Sequence, residues 1–166
     1  MKANKVYLVG FMGAGKTTVA RALAKRLDWQ VVDVDELIER REHCTVAELF
    51  ARKGEPYFRA VERIILAEQT SLRHVVVATG GGTFMDLQNR ALINADGVSV
   101  WLDVPLDRLV ARVPADGRRP LAADRVEFER LYATRRSAYE LAHRRIDAGR
   151  AGVDAIVEEL ADWLEG

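Results

Sequence analysis

Apolar residues along this chain fall in short unbroken runs, separated by longer stretches with a helical repeat. The runs Val6-Tyr7-Leu8-Val9 and Val75-Val76-Val77-Ala78 lack polar alternation, the pattern of strands covered on both faces. On this reading strands lie near Lys5 to Val9, Gln30 to Val34, His74 to Ala78, Val98 to Asp103 and, briefly, Arg144 to Asp147, with helices in the intervals. Thr45-Val46-Ala47-Glu48 is a capping box that starts one helix, and Pro56 suits the first turn of the next. Strict alternation of strands and helices predicts an α/β fold, a parallel, doubly wound sheet with helices on both faces. The segment Val113 to Asp124, with Pro114, Pro120, Gly117 and the pair Arg118-Arg119, reads as a mobile loop over a site.

Length narrows the picture to a single domain, residues 1–166, because 166 residues at 49% hydrophobic content fill one core. Lys and Arg total 25 against 25 Asp and Glu, so no global field draws the chain to nucleic acid or to an anionic membrane. Cys44 is the one cysteine, which rules out an intrachain disulfide and fits a reducing cytosol. Met1 to Lys5 runs straight into the first strand, so a cytoplasmic protein without signal peptide or membrane anchor is expected. Eleven arginines and no lysine lie between Arg108 and Arg150, a bias that suits bidentate anion contacts, although solvated helix faces account for some of them.

Gly10-Phe11-Met12-Gly13-Ala14-Gly15-Lys16-Thr17 is a complete G-x-x-x-x-G-K-[ST] loop between an apolar strand and a helical pattern. Glycines let successive N–H groups curl around a phosphate, the helix beginning at Gly15 points its positive end at it, and Lys16 adds a charge. Thr17 is placed to ligate Mg²⁺. The motif predicts ATP or GTP binding through Gly13, Ala14, Gly15, Lys16, Thr17 and Thr18. At the end of the second apolar run stand Asp33 and Asp35. Two apart on a strand, they would share a face at the sheet's carboxyl edge, one serving Mg²⁺ and the other a hydroxyl to be phosphorylated. Asp35 could instead cap the following helix. Gly80-Gly81-Gly82 follows the third strand, where it admits a ligand close to backbone N–H groups or simply makes a tight turn. Gly54-Glu55-Pro56-Tyr57-Phe58-Arg59, with Glu62, sets a guanidinium and acids near a helix start, where a carboxylate ligand could be gripped.

Together these motifs, with Arg119-Pro120-Leu121 and Arg135 four before Tyr139, resemble the shikimate kinase family across nearly the whole chain. The resemblance implies a five-stranded parallel sheet ordered 2-3-1-4-5, a substrate-binding segment at about 35–62 and a lid at about 113–124. It implies transfer of the ATP γ-phosphate to the 3-hydroxyl of shikimate, with Mg²⁺, in aromatic amino-acid biosynthesis, by a monomer without nucleic-acid or membrane partners. Carried over by motif, Asp35, Arg59, Gly80, Gly81, Gly82 and Arg135 bind shikimate, with Glu62 supporting Arg59. Thr17 and Asp33 organise the metal. Lys16, Asp35 and Arg119 are the catalytic set. Arg112 and the stretch Asp147 to Val153, including Arg150, fall at the adenine, and Phe50 and Phe58 wall the acceptor pocket or serve as core. Ala148 and Val153 depart from the family's usual Thr and Pro. The rival readings are a related small-molecule kinase such as gluconate kinase, and a non-catalytic P-loop module.

Overall fold

The unbroken apolar runs become the inner strands of a parallel sheet. The computed structural model describes residues 3–112 and 125–166. Its strands are β1 (Lys5–Val9), β2 (Gln30–Asp33), β3 (Val75–Ala78), β4 (Val98–Asp103) and β5 (Arg144–Asp147), paired in parallel in the order β2-β3-β1-β4-β5. Every residue of β1, β3 and β4 is buried, whereas the edge strands β2 and β5 carry exposed positions, so the apolar pattern tracks depth in the sheet.

The helices are α1 (Lys16–Leu27), α2 (Val34–Glu42), α3 (Val46–Glu68), α4 (Leu87–Asp96), α5 (Leu106–Arg112), α6 (Arg125–Tyr139) and α7 (Val153–Glu165). A right-handed crossover from β1 outward to β2 puts α1 on one face, where it packs on α7, while the returning and rightward crossovers put α3, α4 and α6 on the other. Thr45 caps α3 as its sequence predicts: its hydroxyl accepts from the Glu48 N–H at 3.1 Å, and the Glu48 carboxylate accepts from the Thr45 N–H at 3.3 Å. Two helical segments were expected on either side of Gly54-Glu55. They run together as α3 across a break at Gly54, whose φ of 82° is open to glycine but strained for other residues. Pro56 then sits in the first turn of the second segment, where its missing N–H costs nothing. Among the described residues no helix is long and apolar enough to cross a membrane.

The amino edge of the sheet is locked by charge. Lys5 is fully buried, with its ammonium 2.6 Å from Asp96 at the end of α4, and it also donates to the carbonyls of Gln69 and Leu72 just beyond α3. The Tyr7 hydroxyl donates to the same Asp96 oxygen at 2.6 Å. Burial, reinforced by Asp96, pushes the Tyr7 phenol well above its ordinary value and so keeps it a donor. Lys5 thereby caps the carbonyl end of α3 and joins it to α4 beneath the sheet. Removing one partner of a buried pair strands the other. Asp96→Ala should cost about 3 kcal/mol in urea-induced unfolding, and Lys5→Met, which leaves only a partly exposed carboxylate, measurably less.

Candidate active site

Strand register brings the functional segments level. Asp33 stands opposite Ala78, and Ala78 opposite Leu8, so the segments leaving β1, β2 and β3 emerge together at the carboxyl edge, where open α/β sheets bind ligands. Gly13 to Thr18, Asp33, Asp35, Thr79, Gly80, Gly81 and Arg112 line one cleft there, of about 290 Å³.

Gly15 caps α1 in the left-handed region (φ 92°), which turns the first N–H groups of the helix toward the cleft. Lys16 is buried and donates to the carbonyls of Gly10 and Phe11, the latter at 3.0 Å, folding the loop over its own side chain. Phe11 occupies a position that the loop motif leaves unspecified. Its ring packs edge-on against Phe128 and Tyr132 of α6, with centroids 5.1 and 5.5 Å away, and anchors the phosphate loop to that helix.

The aspartate pair lines the cleft by a different geometry from the one its spacing suggests. Strand alternation does not apply, because β2 ends at Asp33 and α2 begins at Val34. Asp33 is the N-cap: one oxygen accepts from the Glu36 N–H at 3.1 Å and the other from the Thr17 hydroxyl at 2.6 Å. Capping the free N–H groups of α2 outweighs one more residue of strand. Asp35 therefore lies in the first helical turn, with its carboxylate against Gly80. One acid faces the phosphate loop and the other faces the glycine turn.

That turn uses glycine for space. None of Gly80, Gly81 and Gly82 has a positive φ. A Cβ on Gly80 would stand 2.9 Å from Asp35 Oδ1, one on Gly81 3.0 Å from Arg135 Nη1, and one on Gly82 2.3 Å from Arg59 Nη2. Each missing side chain admits one charged group, and the three converge beside the phosphate loop.

Arg59 is held by Glu62, whose oxygens lie 3.0 and 3.2 Å from its Nη1, and more loosely by Glu55. Glu62 is fully buried. Its second partner is Thr83, whose hydroxyl donates to it at 2.8 Å while accepting from the Gly80 N–H at 3.0 Å. No pattern in the sequence marks Thr83. Arg135, on α6, is buried over the Phe11 ring and has no carboxylate at ion-pair distance among the described residues. Burial, and then repulsion from Arg59, lower its pKa from the ordinary guanidinium value. Two guanidiniums set against one glycine turn, one of them with no carboxylate at ion-pair distance among the described residues, suit a carboxylate.

Other expected positions are less gathered. Arg112 reaches the loop by donating to the Gly13 carbonyl at 3.2 Å. Arg150 is exposed in the turn between β5 and α7, where Gly149 packs on Pro105 and its N–H donates to Asp147. Phe58 is core, with its ring 4.8 Å from that of Phe50, and neither lines the cleft. Arg118, Arg119 and the loop at 113–124 lie outside the described residues. Part of the arginine bias is structural: Arg125 and Arg130 form surface pairs on α6, and Arg136 and Arg145 grip the buried carboxylate of Asp103 at 3.0 and 2.7 Å.

The family model for shikimate kinase matches residues 12–165. The shikimate kinase of Sulfurihydrogenibium sp. is 41% identical over 95% of this chain and 95% of its own length. The solved shikimate kinase of Acinetobacter baumannii, in complex with shikimate, superposes with a TM-score of 0.92 at 34% identity, covering 98% of this chain and 93% of that one. The Aquifex aeolicus shikimate kinase gives a TM-score of 0.88 at 31% identity, over 98% and 96% of the two chains.

The buried hydroxyl of Thr83 supplies a direct check on this geometry. Thr83→Val keeps the shape but leaves the Glu62 oxygen and the Gly80 N–H short of a partner, and should cost about 2 kcal/mol in urea unfolding. Thr79→Val, which removes one hydroxyl bond to the Leu8 carbonyl while the Thr79 N–H still donates to it, should cost about 1 kcal/mol.

Proposed function

The chain belongs to the shikimate kinase family, and we propose that its residues divide the transfer of the ATP γ-phosphate to the 3-hydroxyl of shikimate between a nucleotide side and an acceptor side. The observation that carries the division is the buried guanidinium of Arg135, which has no carboxylate at ion-pair distance among the described residues and shares a glycine turn with Arg59 and Asp35. Shikimate brings a carboxylate to the first two and hydroxyls to the third.

On the nucleotide side, the N–H groups of Gly13 to Thr18 and the Lys16 ammonium take the phosphates, with Arg112 and the stretch Asp147 to Val153, including Arg150, on the adenine side. Thr17 and Asp33 fit Mg²⁺, since a hydroxyl and a carboxylate oxygen 2.6 Å apart in the cleft are hard oxygen donors. Among the described residues no three His, Cys, Asp or Glu gather as a metal cage, which suits a cation held mainly by phosphate and water. Bound there, it would neutralise phosphate charge.

On the acceptor side, Arg59 and Arg135 hold the carboxylate, and Gly80 to Gly82 let the ring lie close to the backbone. Asp35 orients the 3-hydroxyl and receives its proton as the new P–O bond forms and the bond to the β-phosphate bridging oxygen breaks. Positioning and charge do most of this work, because phosphoryl transfer has a loose transition state. Arg119, outside the described residues, is assigned by its motif to the migrating phosphoryl group. A cytosolic location, which the single cysteine supports, and a monomeric state, carried over from the family resemblance, complete the reading.

Release of ADP should require shikimate, and stimulation by gluconate to the same degree would overturn the acceptor assignment. The two acids separate cleanly. Asp35→Asn should lower kcat on the order of a hundredfold or more with the Mg·ATP affinity retained, whereas Asp33→Asn should raise the Mg²⁺ concentration needed for half-maximal rate. Steady-state rates across a Mg²⁺ titration distinguish the two, and a Mg²⁺ shift confined to Asp35→Asn would reverse the roles.

A further inference from the structure

Tyr139 is the last residue of α6, one turn beyond Arg135 on the same helix face, and is buried. Its hydroxyl donates a hydrogen bond to the carbonyl of Gly81, the residue against which Arg135 Nη1 lies. This contact fixes the direction of the hydroxyl, whose single proton goes to Gly81. Burial pushes the phenol far above its ordinary value, so that proton stays in place through the working pH range. The ring is held from behind by Trp101 of β4, with centroids 5.9 Å apart, and so the hydroxyl has little freedom to move.

The Gly81 carbonyl belongs to the same rigid peptide plane as the Gly82 N–H. Gripping one sets the direction of the other. Gly81 also lies against Arg135 Nη1, and Gly82 against Arg59. One hydroxyl therefore holds, through its carbonyl, the glycine turn against which both guanidiniums lie.

We propose that Tyr139 is a positioning residue for the acceptor, its hydroxyl setting the tilt of the Gly81–Gly82 peptide, against which Arg135 and Arg59 lie and the acceptor's carboxylate end is bound. The assignment rests on the acceptor-side reading given above, and it adds a residue that touches neither nucleotide nor the reacting atoms. A role in general stability would weaken both substrates alike or lower only the melting temperature. A positioning role acts on one substrate.

The test uses the full chain and four proteins: wild type, Tyr139→Phe, Arg135→Ala and the double variant. Wild type must first turn over shikimate, and if it does not, the acceptor reading itself fails and not this inference alone. Tyr139→Phe should raise the KM for shikimate about tenfold, the upper range for loss of one buried hydrogen bond, with the KM for ATP and kcat each held within about threefold. In the Arg135→Ala background the same change should add less than about threefold, because the guanidinium set against the gripped peptide is already gone. An unchanged KM for shikimate, equal rises for both substrates, or a full tenfold loss in the Arg135→Ala background would each overturn the proposal. A Tyr139→Phe chain that fails to fold would make the hydroxyl structural and overturn it equally.

Discussion

A carboxylate withdrawn from water has to be met by charge or hydrogen bonds at every lone pair, and that requirement at Glu62 organises the glycine turn and Arg59, the side proposed for the acceptor. Arg59 neutralises it, so the guanidinium is fixed on a rigid helix and not left to wander. Thr83 satisfies its other oxygen and is itself oriented by the Gly80 N–H. The chain from α3 through Glu62 and Thr83 to the glycine turn is therefore a single bonded unit. Break any link and a buried polar group loses its partner, which is why Arg59 and Gly82 can be packed so closely without the turn giving way.

The phosphate loop is tied to the same region by packing rather than charge. Phe11 leaves the loop to sit against Phe128 and Tyr132, and its face supports Arg135. The phosphate loop and Arg135, proposed for the acceptor, thus share one wall on α6. The opposite edge of the sheet has its own lock, in which Lys5 joins the ends of α3 and α4. Its contacts are spent on holding the scaffold. The carboxyl edge is thereby left to gather the charged groups that line the cleft.

Much of this is legible in the sequence. Strands buried on both faces announce themselves as unbroken apolar runs, as β1, β3 and β4 do, and the exposed edge strands β2 and β5 follow from the strict alternation of strands with helices, all five to within about a residue of their observed ends; the capping box at Thr45 falls where its hydroxyl does cap. Strand order was legible only through family resemblance, since periodicity reports which face is covered and not which neighbour covers it. Asp33 and Asp35 were found for the right cleft by the wrong geometry. Asp33-Val34-Asp35-Glu36 carries an N-cap signal, aspartate three before glutamate, and that signal outweighs strand alternation at the end of β2. Thr83, Phe11 and the hydroxyl of Tyr139 could not be read from pattern at all. Each owes its role to a contact between segments far apart in the chain.

Gly80, Gly81 and Gly82 form a floor whose shape is made of missing atoms. Any base change that alters the amino acid of a glycine codon installs a Cβ, and each such carbon would press on Asp35, Arg135 or Arg59. The turn thus accepts a larger residue only where one of those charged tips moves aside, so its sequence and the placement of Asp35, Arg59 and Arg135 have to change together. In evolutionary terms the plainest three residues of the turn are bound to three of its charged neighbours.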